Sequence, residues 1–93
     1  MIRQTNGRRI AKQIARLHTQ RRKKGEPHPI LFTGDDFHIP TFCHLTRELY
    51  VAGVIQYGST KDLRTAFYIT DRYYDLPYQD LCDKLEEILD LYI

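Results

Sequence analysis

Leu45-Thr46-Arg47-Glu48-Leu49-Tyr50-Val51-Ala52-Gly53-Val54-Ile55 is the stretch whose reading decides the fold. Phe42, Leu45, Leu49 and Ala52 recur at intervals of 3, 4 and 3 residues, which is one apolar face of a helix. The helix opens at Pro40 or Thr41, since a first turn tolerates proline. Gly53 closes it, and Val54-Ile55-Gln56-Tyr57 has the β-branched and aromatic content of a strand. Residues 65–70, Thr-Ala-Phe-Tyr-Ile-Thr, predict a second strand. Between the two lies Gly58-Ser59-Thr60-Lys61-Asp62-Leu63-Arg64, too long for a two-residue hairpin turn and carrying two cations.

Upstream, Thr33-Gly34-Asp35-Asp36 supplies a capping residue and first-turn acids for a short helix around Phe37. His38-Ile39-Pro40 ends that helix, because a residue before proline avoids the helical region. Ile30-Leu31-Phe32 is long enough only for a small edge strand. A longer helix is predicted over residues 7–24, with Asn6 as N-cap and Ile10, Ile14 and Leu17 on one face beside Ala11 and Ala15. Gly25 suits its C-terminal turn, and Pro27 and Pro29 prevent continuation. Downstream, residues 71–76 fit either loop or helix. Pro77 opens a final helix over 77–92, where Tyr78, Leu81, Cys82, Leu85, Ile88, Leu89 and Tyr92 form one apolar stripe. That spacing, close to 3.5 residues, suits a two-helix seam.

Ninety-three residues with 42% hydrophobic and 28% charged content make a single globular domain spanning 1–93. No apolar run approaches the ~18 residues of a membrane span, and the basic N-terminus lacks the apolar core of a signal peptide. Cys43 and Cys82 are too few for a disulfide framework. The expectation is a cytoplasmic protein, nucleoid-associated if prokaryotic or viral. The net charge of +2 conceals an asymmetry: residues 1–28 carry +8 and residues 29–93 carry −6. A basic end of this kind fits a polyanionic partner. The alternative is a solvated basic helix, and for Arg21, Arg22, Lys23 and Lys24 simple complementarity to a helix C-terminus.

The order of elements is helix, short strand, short helix, turn, a helix ending Ala52-Gly53-Val54-Ile55, and a hairpin whose last strand closes on Phe67-Tyr68-Ile69-Thr70. It resembles a winged helix-turn-helix domain. The resemblance implies an α+β, mostly helical fold with a basic N-terminal helix, a helix-turn-helix over 33–53, a two-to-three-stranded wing over 54–70 and a C-terminal dimerisation helix. It implies a sequence-specific regulator of transcription that binds double-stranded DNA as a homodimer. One departure is the first motif helix, which is short for the family.

A helix entering a major groove presents polar side chains to base edges. With Phe42, Leu45 and Leu49 inward, Cys43, His44 and Arg47 point away and Thr41 lies at the margin. Arg47 is the expected guanine contact, since a guanidinium pairs with O6 and N7 together. His44 reaches a base or a phosphate. Lys61 and Arg64 in the wing meet phosphate or minor groove, and Thr33 offers a hydroxyl and backbone N–H groups to a phosphate. Arg21, Arg22, Lys23 and Lys24 complete the expected DNA-facing set. Tyr78, Leu81, Leu85, Ile88, Leu89 and Tyr92 are the expected dimer face, favoured over packing within one chain.

Other chemistries fit less well. His38, Cys43, His44 and Cys82 lack an established zinc spacing, and Cys43 and His44 as helix neighbours diverge by ~100°. Helix-start charge accounts for Asp35 and Asp36 without Mg²⁺. The tyrosines read as core and interface residues before they read as platforms for single-stranded bases. No enzyme activity, metal or cofactor is expected. The competing function is a protein-interaction module on the same fold, such as a small phage- or plasmid-type protein that occupies a host nucleoprotein through its acidic later part.

Overall fold

A computed structural model describes residues 2–33, 36, 42–62 and 65–89, with backbone alone for 2–7 and 42–45. The chain forms a small α+β domain whose described helices are α1 (Ile2–Lys23), α2 (Phe42–Val51), α3 (Asp71–Tyr74) and α4 (Tyr78–Leu89). Strands β1 (Phe32–Thr33), β2 (Ile55–Ser59) and β3 (Thr65–Ile69) make an antiparallel sheet in the order β1-β3-β2. No helix among the described residues is long and apolar enough to cross a membrane.

Two glycines punctuate the chain. Gly25 and Gly53 both have φ of 81°, a region costly for residues bearing a Cβ. After α1, the Gly25 N–H donates to the Arg22 carbonyl and the Glu26 N–H to that of Arg21. After α2, the Gly53 N–H donates to Tyr50 and the Val54 N–H to Leu49. Each pair is a Schellman closure, which satisfies carbonyls that a helix end would leave orphaned. At α2 the closure brings Val54 into the core beside Leu49, both fully buried, and launches β2 one residue later. Ala52, expected on the apolar face, is instead exposed, because it belongs to this turn and no longer follows the helical phase.

The expected bounds shift at both termini. α1 begins at Ile2, so Asn6 and Gly7 lie inside it and Asn6 is not its cap. Each added helical residue contributes a backbone bond once a helix is nucleated, which outweighs a local capping preference. Described α4 runs from Tyr78 to Leu89, and Tyr92 lies outside the described residues. Residues 71–74, ambiguous in sequence, form a single helical turn. The short helix expected around Phe37 also lies outside the described residues, apart from Asp36.

The hairpin register pairs Ile55 with Ile69, Tyr57 with Phe67 and Ser59 with Thr65, so β2 extends two residues beyond Tyr57 and the loop shrinks to 60–64. On the other edge Phe32 pairs with Phe67 and their rings stack at 5.3 Å. Thr70 fastens the last strand to the helix that precedes the hairpin. Its hydroxyl donates to the carbonyls of Gly53 (2.9 Å) and Val54 (3.1 Å), and its N–H donates to Val54 at 3.0 Å.

The core lies between α1, α4 and the sheet. Ile10, Ala11, Ile14 and Ala15 of α1 are fully buried, as are Leu81, Leu85 and Leu89 of α4, and the two helices pack against each other. The α4 stripe is thus consumed inside one chain. Leu81, Leu85, Ile88 and Leu89, expected to meet a second subunit, are at most 7% exposed, and Tyr78 alone of the described set reaches the surface. The narrow apolar face of α1 is the main partner, with α2 packing against α4 as well, so elements of the same chain cover what the sequence offered to two chains.

Candidate nucleic-acid interface

Only the three-residue turn 52–54 separates α2 from β2, so the helix and the hairpin follow each other directly. On α2, Leu49 and Thr46 face inward and Arg47 is exposed. Among the described residues Arg47 makes no ion pair. Cys43 and His44 lie on the same helix four and three residues earlier, with side chains outside the described residues. Thr41 and Arg64 also lie outside them. At the hairpin tip Lys61 is exposed, and beside it the Thr60 hydroxyl donates to the Asp62 carboxylate. The tip therefore carries an acid next to its cation.

Three of the expected phosphate contacts are otherwise engaged. The Thr33 N–H donates to the Asp36 carboxylate at 2.9 Å, so it is not a vacant anion donor. Arg21 lies across the Phe32 ring, 5.0 Å from its centroid, and donates to the Leu31 carbonyl (3.1 Å) and the Asp36 carboxylate (2.9 Å). Arg22 donates to the Tyr74 and Leu76 carbonyls. Arg21 and Arg22 are correspondingly half-buried, and they tie α1 to the strand before α2 and to the turn after α3. A planar guanidinium with several donors suits this bridging, and a structural role displaces the expected DNA contact. Lys23 and Lys24 remain exposed.

Two histidines absent from the expected set hold the same corner. His18 is fully buried on α1, and its Nε2 donates to the Tyr74 carbonyl at 2.9 Å, while its Nδ1 is buried without a partner. Burial pushes its pKa below the ordinary histidine value, and Arg22 and His28 push the same way; the bond to Tyr74 and the Asp75 carboxylate oppose them. His18 is therefore a neutral core residue, its ring edge-on to Tyr74 at 4.9 Å. Its position was visible in the sequence, seven residues after Ala11 and four after Ile14. His28 meets the Asp71 carboxylate at 2.5 Å and stands edge-on to Tyr74 at 4.3 Å. With Pro29, Gln56, Tyr68 and Thr70 these two residues line an open groove of about 240 Å³. The histidine, the acid and the threonine in it are already paired with one another or with backbone.

The described cysteine is not an activated nucleophile. Cys82 is buried on α4, and burial together with Glu86 and Asp83 raises its thiol pKa, the reverse of what a reactive thiolate needs. Among the described residues no three His, Cys, Asp or Glu side chains converge on a point that would hold a metal.

No family model, curated protein or solved structure matches this chain.

Proposed function

We propose that this chain is a winged helix-turn-helix protein that binds double-stranded DNA sequence-specifically, as a regulator of transcription. The observation that carries the reading is the sequence of elements around the sheet. β1 precedes α2, α2 passes through the Gly53 turn directly into the β2–β3 hairpin, and β3 returns between β1 and β2. That arrangement presents a helix with an exposed arginine beside a hairpin with an exposed lysine, the two elements a winged helix sets against a duplex. Arg47 reads a base edge in the major groove, and Lys61 contacts phosphate or minor groove. Cys43, His44, Thr41 and Arg64 stay in the proposed DNA-facing set, and Arg21, Arg22 and Thr33 leave it. The α4 stripe no longer supplies a dimer seam, so this reading needs no second subunit.

Selection from a pool of random duplexes tests it. A preferred site is expected, with Arg47→Ala costing about 1–3 kcal/mol at one base position and relaxing preference there. Lys61→Ala should weaken binding evenly and flatten the salt dependence by about one unit of log–log slope. A pool that emerges without enrichment sinks the sequence-specific reading.

A second reading, a protein-interaction module, is favoured by one observation. Tyr50 and Val51 on α2 are 44% and 72% exposed, and Tyr57 on β2 lies 5.0 Å from the Tyr50 ring. Aromatic residues in an exposed apolar patch are characteristic of protein interfaces. Capture of a partner that survives nuclease digestion, and that is lost in Tyr50→Ser, would favour this reading over DNA.

A further inference from the structure

α1 contains no acidic residue, and eight of its 22 residues are Lys or Arg. The fold sorts these cations by helical phase. Arg21 and Arg22 point into the domain and are spent on Leu31, Asp36, Tyr74 and Leu76. Arg8, Arg9, Lys12, Arg16 and Lys23 are all exposed. At about 100° per residue these five fall within an arc of roughly 100° that lies wholly outside the arc of the buried Ile10, Ala11, Ile14, Ala15 and His18. From Arg8 to Lys23 the stripe is about 22 Å long at 1.5 Å per residue. Among the described residues none of the five makes an ion pair.

Complementarity to the helix dipole accounts for Lys23 but not for Arg8, Arg9, Lys12 and Arg16, which lie more than a turn from either end of α1. Arg8–Lys12 and Lys12–Arg16 are like-charge pairs at i,i+4, which weaken a helix rather than support it. A mixed solvated face would intersperse acids among its cations, and α1 has none. We infer that this outward stripe of α1 is a binding surface for the phosphate backbone of double-stranded nucleic acid, separate from α2 and the hairpin and indifferent to sequence.

The chemistry of α1 selects that partner over other polyanions. Among its described residues Ile10, Ala11, Ile14 and Ala15 are fully buried and Leu17 packs half-buried against the same core, so no apolar face is left there to enter a lipid headgroup layer. It carries no Phe, Tyr or Trp, so single-stranded bases find nothing to stack on. A duplex offers one phosphate per ~1.7 Å of axis, enough for a 22 Å rod to meet several at once without reading any base. This surface does not depend on whether α2 recognises a sequence.

The test is the salt dependence of affinity for a random-sequence duplex, wild type against the triple variant Arg8→Gln, Lys12→Gln, Arg16→Gln. Losing three phosphate contacts should flatten the log–log slope by about 2.7. The fall in affinity between 50 and 200 mM salt would then be about 40-fold smaller than in wild type. The triple variant should melt no lower than wild type, since it relieves like-charge repulsion; should it fail to fold, each single variant should flatten the slope by about 0.9. Arg47→Ala serves as the contrast, with at most one unit of slope to lose, so failure of the α2 reading would leave this result intact. A slope unchanged by the α1 substitutions overturns the inference. So does equal affinity of the wild type for single strands, polyglutamate or anionic phosphatidylserine vesicles.

Discussion

Replacing His18 by phenylalanine should cost little at neutral pH and should stabilise the protein in mild acid. The ring slot between Tyr74 and Phe32 would stay filled, since His18 already packs there with centroids 4.9 and 6.4 Å away. The substitution removes the Nε2–H bond to the Tyr74 carbonyl, a net loss of about 1 kcal/mol. That carbonyl still accepts from Arg22, so it is not left bare. The substitution also removes Nδ1, buried without a partner, whose desolvation costs about 1–3 kcal/mol in the native protein. These terms nearly cancel, so the variant should lie within about 1 kcal/mol of wild type above pH 7. Acid separates the two. The folded pKa of His18 is lowered, so below the unfolded value of about 6.5 the unfolded chain binds a proton that the native state refuses. Native stability must then fall with falling pH by up to about 1.4 kcal/mol per unit, until the depressed folded pKa is reached. Above about pH 7 both states are neutral at this position and the contribution is fully present. Urea titrations followed by circular dichroism between pH 5 and pH 8 measure the difference. At pH 5 His18→Phe should be the more stable protein. If the gap between the variant and wild type does not change with pH, His18 is not held neutral and the account of this corner is wrong.

Three further outcomes follow from the packing. Arg21→Ala should destabilise the domain by about 2 kcal/mol in urea, because it removes the bond to the Leu31 carbonyl and leaves the Asp36 carboxylate with the Thr33 N–H but no cation, whereas Arg47→Ala should change stability by less than about 0.5 kcal/mol. Gly53→Ala should cost about 1–2 kcal/mol in thermal melts purely through its left-handed φ, since an added Cβ meets nothing within 4 Å, while Gly58→Ala, whose nearest neighbours would stand at 3.6 Å, should cost less. Leu85→Ala should lose about 2–5 kcal/mol by opening a cavity under α4, and the loss should be independent of protein concentration, as for packing within one chain.

What could be read from the sequence was whatever is written over a few neighbouring residues. Gly25 and Gly53 marked two helix ends because a left-handed C′ position is a local demand. Val54 to Ile69 disclosed a hairpin because β-branched and aromatic residues bracket a polar loop. The apolar stripe of α4 disclosed a buried face, but not which surface buries it. That answer depended on Ile10, Ala11, Ile14 and Ala15, a narrow face of α1 that acquires meaning only when a second helix lies against it.

The cations show the same limit from the other side. Arg21, Arg22, Lys23 and Lys24 are a single run in sequence, and one property, charge, invites one role for all four. Helical phase divides them: Arg21 and Arg22 turn inward, where their partners at Leu31, Asp36, Tyr74 and Leu76 lie 10 to 54 residues away along the chain. Lys23 turns outward and joins Arg8, Arg9, Lys12 and Arg16, with which it shares a face but no adjacency. A count of positive charge therefore overstates the C-terminal end of α1 and understates its length. Phase relative to the buried Ile10 and Ile14 is the better guide, and it moves the expected polyanion contact from the end of the helix to its whole outer side.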